Sequence, residues 1–185
     1  EIATFQIDMG NAERFGIAYT DKDGVKRYPP IIHTALLGTV ERYLFTALDK
    51  ASKMEERGKK PMLPVWLSPI QVRIIPIKRR QAAVAKKLLT HLERASIRVD
   101  VDDREESLSK RIRDAEISWI PYILVLGEKE MKSRSYPVRV RAKNTQIRMS
   151  LKTLIRALLK ETKGYPYRAL TVPRLVSERP GYKTV

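Results

Sequence analysis

Residues 30–44 read PIIHTALLGTVERYL, and this stretch decides the fold of the first part of the chain. Ile31 to Leu37 is a short apolar run that predicts a buried strand, and Gly38 breaks it. Thr39 then predicts a helix N-cap, because its hydroxyl can accept an N–H of the first turn. Apolar residues follow at helical spacing, at Val40, Tyr43, Leu44, Ala47, Leu48 and Ala51. Arg42 lies in the first turn on the polar side, where a guanidinium could meet a phosphate.

The strand-Gly-Thr-Val-Glu-Arg-helix pattern resembles motif 3 of the class II aminoacyl-tRNA synthetases. The arginine of that motif binds the phosphates of ATP, so the resemblance implies that Arg42 is an ATP ligand. With His33 five residues before Gly38, the block HTALLGTVER is similar to the threonyl-tRNA synthetases in particular. Without the resemblance, an arginine at a helix start is more often a surface charge.

Residues 2–9 alternate and predict a strand with Thr4, Gln6 and Asp8 on one polar face. The resembling family has a Thr-x-Gln-x-Asp strand beside its active site. The resemblance implies that Thr4, Gln6 and Thr39 contact threonine and that Gln6 also contacts ATP. On the residues alone, an exposed face of an edge strand is the favoured interpretation. Residues 19–28 predict a hairpin around an Asp- and Gly-rich turn.

His33 lies on the apolar strand, where a histidine is usually a structural residue. In the resembling family the matching histidine is one of three zinc ligands, together with a cysteine and a second histidine far upstream. This chain has no cysteine, and its other histidine, His91, falls on a different predicted helix. We therefore expect ATP-Mg and zinc in the whole enzyme, but no cofactor held tightly by this chain.

Composition indicates one or two ordinary domains without a membrane span. The chain has 185 residues, of which 43% are hydrophobic and 31% charged, and no apolar run reaches 18 residues. The absence of cysteine excludes disulfides within the chain. Glu1 is not a methionine and no apolar leader follows it, so we expect a fragment of a longer cytoplasmic protein.

The positive charge is concentrated after residue 50. Residues 1–50 hold 6 Lys and Arg against 7 Asp and Glu, whereas residues 51–185 hold 31 against 14. An excess of this size favours a polyanion, and nucleic acid first. A merely soluble basic surface, as in proteins from thermophiles, is the alternative.

A linker and a second domain are predicted next. Residues 53–64 lose the apolar period and contain Gly58, Pro61 and Pro64. Residues 66–72, WLSPIQV, are similar to the start of the class IIa anticodon-binding domain. Strands are predicted at 71–77, 98–102, 121–126, 138–141 and 146–149, and helices at 81–96, 107–115 and after Ser150. The first of these helices is predicted to bury Val84, Leu88, Leu92 and Ala95. This order predicts a mixed sheet flanked by helices.

The resemblance also implies which residues contact RNA. The family reads the anticodon with a Glu after a Gly-x-Lys turn and an Arg nine residues later, which correspond here to Glu130 and Arg139. A third position, Asn in the family, is Glu105 here. The remaining basic residues around it are interpreted as phosphate contacts, namely Arg104, Lys110, Arg111 and Arg113. Without the resemblance, all of them are ordinary surface charges.

The predicted fold class is α/β: the C-terminal piece of a class II antiparallel-sheet catalytic domain (1–52), a linker (53–64) and a mixed-sheet anticodon-binding domain (65–163). Residues 164–185 form a basic tail, either packed on the domain or stacking bases on its tyrosines. The resemblance implies threonine tRNA, threonine and ATP as partners and a homodimeric parent enzyme. Motif 2 would precede Glu1, so the chain alone is expected to be inactive. Two alternatives stay open: a prolyl- or glycyl-type enzyme, against which His33 speaks, and a non-catalytic RNA-binding protein.

Overall fold

The computed structural model of the chain describes residues 3–36, 38–133 and 135–180. The chain forms two compact units, Glu1–Lys50 and Ala51–Val185. Within the described ranges, no helix is both long and apolar enough to cross a membrane. The two units differ in architecture.

The first unit contains two small antiparallel sheets. One pairs β1 (Thr4–Asp8) with β4 (Ile31–Ala35), and the other pairs β2 (Tyr19–Thr20) with β3 (Lys26–Arg27); the helices are α1 (Asn11–Arg14) and α2 (Val40–Glu56). The predicted hairpin is confirmed, and Arg27 pairs with Asp21 at 2.8 Å and with Asp23 at 2.7 Å. The strand predicted to reach Leu37 ends at Ala35, and Leu37 itself lies outside the described residues.

Two short side chains fix the turns of this unit. Asp8 Oδ1 accepts the backbone N–H of Asn11 at 2.9 Å and of Gly10 at 3.0 Å, and these hydrogen bonds, that from Asn11 first, lower the pKa of Asp8. Gly38 adopts φ 64°, a left-handed conformation that suits glycine and explains the break after the strand. Thr39 Oγ1 accepts the N–H of Arg42 at 3.4 Å, which confirms the predicted N-cap.

The first unit leaves large apolar side chains exposed. Phe5, Ile7 and Ile32 are 60–67% exposed and share one face of the β1–β4 sheet, where Ile7 pairs with Ile32. Phe45 on α2 is 72% exposed. A two-stranded sheet is marginally stable alone, so such a face is stabilised when another surface covers it.

The second unit is an α/β domain around one five-stranded mixed sheet, as predicted. Its strands are β5 (Val72–Pro76), β6 (Val99–Val101), β7 (Tyr122–Leu126), β8 (Ser135–Val140) and β9 (Thr145–Ser150), in the order β6-β5-β7-β8-β9. Its helices are α3 (Ala82–Arg94), α4 (Leu108–Ile117), α5 (Glu128–Lys132) and α6 (Leu151–Thr162). β5 is parallel to β6 and β7, whereas β7, β8 and β9 run antiparallel to one another.

Apolar side chains form a core on each face of this sheet. The larger core joins Ile74 and Leu124 to helices α3 and α6, and the smaller joins Ile75 and Ile123 to helix α4. Neighbouring residues such as Ile74 and Ile75 enter different cores because side chains alternate along a strand. The central strands are thus covered on both sides, which explains their continuous apolar sequence.

The helices of the second unit agree only in part with the sequence-based predictions. Ser107 and Ser150 cap α4 and α6 as expected, accepting N–H groups at 3.2 Å and 3.1 Å. The predicted core face of α3 is partly wrong: Leu88 and Leu92 are buried, but Ala85 and Leu89 accompany them in place of Val84 and Ala95, which are only partly buried. Helix α5 was not predicted, because five residues with one apolar member show no helical period.

The WLSPIQV segment braces the start of the sheet. The Arg98 guanidinium donates to the carbonyl oxygens of Trp66, Ser68 and Pro69 at 2.6–3.1 Å. Gln71 is buried; its amide donates to Val65 O, and its carbonyl accepts the N–H of Arg98, both at 2.9 Å. The segment therefore fixes the position from which β5 and β6 start.

Candidate nucleic-acid interface

Strands β8 and β9 carry a row of polar side chains, which we call the polar row: Arg139, Gln146 and Arg148. Arg139 pairs with Ile123 on β7 and with Gln146 on β9, and directly paired residues share a face. Arg148 lies two residues beyond Gln146 and shares that face. The Arg139 side chain is 44% exposed, whereas Ile123 is buried in the smaller core. The same face of the sheet is therefore apolar on β7 but polar and accessible on β8 and β9.

Glu116, in the last turn of α4, binds two cations beside this row. Its carboxylate lies 3.3 Å from Arg139 Nη1 and 3.0 Å from Lys60 Nζ. Burial raises the pKa of Glu116, but the hydrogen bonds and charges of Lys60 and Arg139 outweigh it, and the net pKa is lowered. These residues line a cavity of about 150 Å³ together with Ile120, Ile123, Val140, Arg141, Asn144, Thr145 and Gln146. Amide, hydroxyl and guanidinium groups together offer the donors and acceptors that a nucleobase edge requires.

Glu130, the other predicted anticodon residue, is buried and not an exposed surface charge. It lies on α5, is 8% exposed, and accepts a hydrogen bond from Arg148 at 3.1 Å. A Cβ on Gly127 would approach Glu130 Oε2 to 2.9 Å, so glycine there leaves room for the carboxylate. Glu130 pairs with Arg148, whereas Arg139 pairs with Glu116, so the two predicted anticodon residues belong to separate ion pairs. Arg148 lies opposite Pro137, two residues before Arg139 on β8.

A second candidate surface lies at the carboxyl ends of β5 and β6, and we call it the basic cavity. Its volume is about 590 Å³, and its charged lining consists of Lys78, Arg79, Lys86, Arg104 and Arg111 with Asp103, Glu105 and Glu106. Ligands of open α/β sheets commonly bind at this edge, where loops from several strands meet. Glu105, the predicted third anticodon residue, belongs to this cavity and not to the polar row.

The four predicted phosphate contacts fall into different environments. Arg113 is exposed on α4, and Lys110 is exposed but paired with Glu106. Arg104 is bound to Asp102 at 2.7 Å and to Asp114 at 2.9 Å. Its hydrogen bonds to Asp102, above all, raise the pKa of Arg104.

For Arg111 the predicted phosphate contact is wrong. The residue is 5% exposed, and its guanidinium donates to the carbonyl oxygens of Pro76 at 2.8 Å and Asp102 at 3.0 Å. These bonds satisfy the chain where β5 and β6 end, so Arg111 supports the sheet. The sequence alone could not show which of Arg111 and Arg113 is buried. Residues two positions apart on a helix face different sides, and either side could have faced the core.

In the first unit, the structure brings several predicted residues together. Gln6 pairs directly with His33 across β1 and β4, and Thr4 pairs with Ala35, so Thr4 and Gln6 share one face of this sheet with His33, whereas Thr39 lies at the start of α2. His33 Nε2 lies 3.6 Å from Asp8 Oδ2. The described residues contain no group of three or more His, Asp or Glu side chains arranged to hold a metal. They do not by themselves fit a zinc ion.

Sequence reasoning missed three contributors to the interface. Lys60 was assigned to the linker, and Glu116 and Gln146 were not singled out. Only tertiary structure brings Lys60 to Glu116, 56 positions away. Gln146 carried a usable signal, because it opens the predicted strand 146–149, which follows directly after the predicted strand that contains Arg139.

Comparison with protein families assigns part of this surface. Residues 71–161 match the family described as the anticodon binding domain. This range contains the polar row, Glu130 and most residues of the basic cavity.

Curated relatives extend the similarity over nearly the whole chain. A threonine–tRNA ligase of Pyrobaculum calidifontis is 54% identical over 97% of this chain, and one of Thermofilum pendens is 54% identical over 98%. The chain spans about 30% of the length of each. Because the similarity includes the first unit, it does not favour a protein that reuses an anticodon domain alone.

Solved structures agree with this assignment. The RNA binding domain of threonyl-tRNA synthetase from Cryptosporidium parvum has a TM-score of 0.67 and 32% identity, covering 89% of this chain and 39% of that one. A prolyl-tRNA synthetase of the same organism has a TM-score of 0.70 at 22% identity over 86% of this chain and 34% of that one, which indicates the shared fold alone. The chain is thus similar over nearly its whole length to threonyl-tRNA synthetases, and residues 71–161 of its second unit match the anticodon binding domain family.

Proposed function

We propose that the second unit binds the anticodon loop of a threonine tRNA and that the chain works as part of a threonine–tRNA ligase. The polar row carries the proposal, because it is an accessible set of base-reading groups within the residues that match the anticodon-binding family. Electrostatics supports it. Residues 51–185 have 31 basic against 14 acidic side chains, and such an excess attracts the phosphate backbone of RNA.

Base recognition is assigned to Glu130 and Arg139. Single-stranded loop bases expose their Watson–Crick edges; a carboxylate accepts N–H groups of guanine or uracil, and a guanidinium donates to their carbonyl oxygens. Threonine anticodons share G and U at their second and third positions, so at least two reading groups are required. Arg139 lies in a weak, partly exposed ion pair that RNA can exchange for its own groups, whereas the buried Glu130 carboxylate becomes available only when its pair with Arg148 opens.

Phosphate contacts are assigned to exposed cations around the basic cavity. These are Lys78, Arg79, Lys86 and Arg113, with Lys110 and Arg104 available through their ion pairs. Glu105 is the third anticodon contact in this proposal. Arg111 is not included, since its guanidinium is buried against backbone carbonyls.

For the first unit we propose a share in the active site of the whole ligase. Arg42 and Gln6 contact ATP, and Thr4, Gln6 and Thr39 contact threonine. Adenylate forms when the threonine carboxylate attacks the α-phosphate of ATP and pyrophosphate leaves, a reaction that depends on positioning and charge stabilisation rather than a protein base. The exposed apolar face of Phe5, Ile7 and Ile32 supports packing within a larger catalytic domain.

The whole ligase is proposed to be a cytoplasmic homodimer that uses ATP-Mg and zinc. His33 would contribute one ligand to the zinc site, and the described residues do not supply the others. The roles proposed for this chain are recognition of RNA and contacts to ATP and threonine.

The proposal is tested by binding a threonine anticodon stem-loop to the chain at several salt concentrations. The log–log slope is expected to be about 0.7–0.9 per phosphate contact. Stem-loops with a changed second or third anticodon base should bind more weakly, whereas one with a changed first base should bind equally. Equal binding of all four stem-loops would contradict anticodon recognition.

A further inference from the structure

Residues 165–179 run over the surface of the second unit, and we call this segment the strap. Tyr165 stacks on Trp66 with ring centroids 4.3 Å apart and planes 1° from parallel. Leu170 packs against the smaller core and Leu175 against the larger. The ring of Tyr165 is thus occupied within the protein, and the strap is an integral part of the domain.

The strap covers the edge of the sheet. β6 is an edge strand, and Val101 in it forms a parallel bridge with Leu175, donating its N–H to Arg174 O at 2.9 Å. Arg174 also pairs with Glu93 on α3. An edge strand presents unpaired backbone groups, and the strap satisfies one of them, the N–H of Val101.

A buried carboxylate anchors the end of the strap. Asp100 on β6 is fully buried and accepts two hydrogen bonds from Arg73 on β5, at 3.0 Å and 2.7 Å. Arg179 Nη1 reaches the same carboxylate at 2.9 Å. Ionised buried pairs of this kind have strict geometry, so the strap is held in one register on β6.

Between these anchors, Ser177 contacts the loop that follows β6. Its backbone N–H donates to Asp103 Oδ1 at 3.1 Å and its hydroxyl donates to Asp103 Oδ2 at 2.8 Å. Both oxygens of the carboxylate are therefore held by one residue of the strap. Ser177 and Leu175 also line the basic cavity.

The loop of residues 103–106 is held from the opposite side by α4. Arg104 binds Asp102 and Asp114, and the N–H of Glu106 donates to Arg104 O at 2.9 Å. Without the strap, this loop would keep its α4 contacts but lose those on the Asp103 side. The side chain next to Asp103 and Arg104 is Glu105, which belongs to the same cavity.

We propose that the strap completes the RNA-binding site, and that Ser177 is a positioning residue that holds the 103–106 loop and Glu105 at the basic cavity. The inference rests on the proposed function of the second unit. It adds a segment outside the anticodon-binding match at residues 71–161 to the recognition surface. Ser177 acts through Asp103 and needs no contact with RNA.

The test uses the full chain with Ser177→Ala, Ser177→Thr and the control Thr171→Ala, which removes an exposed hydroxyl of the same strap. The measured quantity is the ratio of Kd values for a stem-loop with a changed second or third anticodon base and the threonine anticodon stem-loop. Losing one hydrogen bond should lower this ratio about 3–10-fold in Ser177→Ala. Ser177→Thr, which keeps the hydroxyl, and Thr171→Ala should both retain the ratio.

Hydrogen exchange without RNA provides a separate readout. The amides of residues 103–106 should exchange faster in Ser177→Ala than in Thr171→Ala, while the thermal midpoints of the two variants stay close. Unchanged exchange, or a base preference that Ser177→Ala retains, overturns the inference alone. A chain without substitution that shows no base preference overturns the proposed function, and the inference with it.

Discussion

Glu116 on α4 binds Arg139 on β8 at 3.3 Å and thereby neutralises the guanidinium to which base recognition is assigned. The same carboxylate binds Lys60 at 3.0 Å. In the absence of RNA, the Glu116 carboxylate therefore occupies Arg139 and Lys60, and RNA must displace it to bind them. This competition also favours specificity, because a ligand must offer better acceptors than Glu116 does.

Glu116→Gln should increase the affinity for RNA. The substitution removes a negative charge from Arg139 and Lys60, and since exposed pairs are weak, the expected gain is about 2–5-fold. Fluorescence anisotropy with the threonine anticodon stem-loop measures it. Glu93→Gln is the control, because it removes the same charge from a pair with Arg174 on the strap. An equal gain in both variants would indicate a general charge effect.

The ionisation of Glu116 can be measured directly. Its carboxyl should titrate below the ordinary value of 4.5, because Lys60 and Arg139 outweigh the effect of burial. A lowered pKa means that the ion pairs contribute stability above pH 4.5 and lose it as the pH falls through the lowered value. Carbon-detected NMR should show the pKa rising in Lys60→Met and staying unchanged in Lys59→Met. A midpoint at or above 4.5 in the unsubstituted chain would contradict the assigned contacts.

Arg139 and Glu130 should determine base preference. Arg139→Ala should lose about 1–3 kcal/mol of discrimination at the second or third anticodon base, the range of good bidentate contacts. Glu130→Gln is preferred to alanine, because the amide still accepts from Arg148 and preserves folding. Lys78→Ala should instead weaken all stem-loops alike, since the exposed ammonium is assigned to phosphate. The assignment fails if neither Arg139→Ala nor Glu130→Gln changes the base preference.

Substitutions of Arg111 and Arg113 should have different effects, the first on folding stability and the second on RNA binding. Arg111→Met removes the donors to Pro76 O and Asp102 O and should lower the free energy of unfolding by about 1–3 kcal/mol. Arg113→Met should leave that free energy nearly unchanged and weaken RNA binding. Urea unfolding and stem-loop binding measure the two effects. A stable Arg111→Met variant with weakened RNA binding would restore the original phosphate assignment.

The sequence predicted the parts of the fold that depend on local pattern. The Gly38 break, the Ser107 and Ser150 caps and the continuous apolar run of β7 each carry a residue-level signal, and all are observed. Helix α5 was missed because it is too short to show a period. The burial of Arg111 was missed because it depends on carbonyls more than 30 positions away, at Pro76 and Ile77.

The candidate site was likewise predicted only in part. The resemblance supplied Arg139 and Glu130, but their ion-pair partners Glu116 and Arg148 are set by tertiary packing. The direct pairing of Gln6 with His33 follows from strand register, which the sequence left open. Charges that face each other across elements have no local signature, so their partners could not be predicted.

The anchoring of the strap on β6 has a consequence for synthesis of the protein. Arg179 closes on Asp100, a residue that leaves the ribosome 79 positions earlier. Until then the β6 edge stays open and the Asp100 carboxylate has only Arg73 as its cationic partner among the contacts described. The nascent domain therefore cannot reach its final packing until the strap emerges, and a chain released before it exposes a strand edge prone to aggregation.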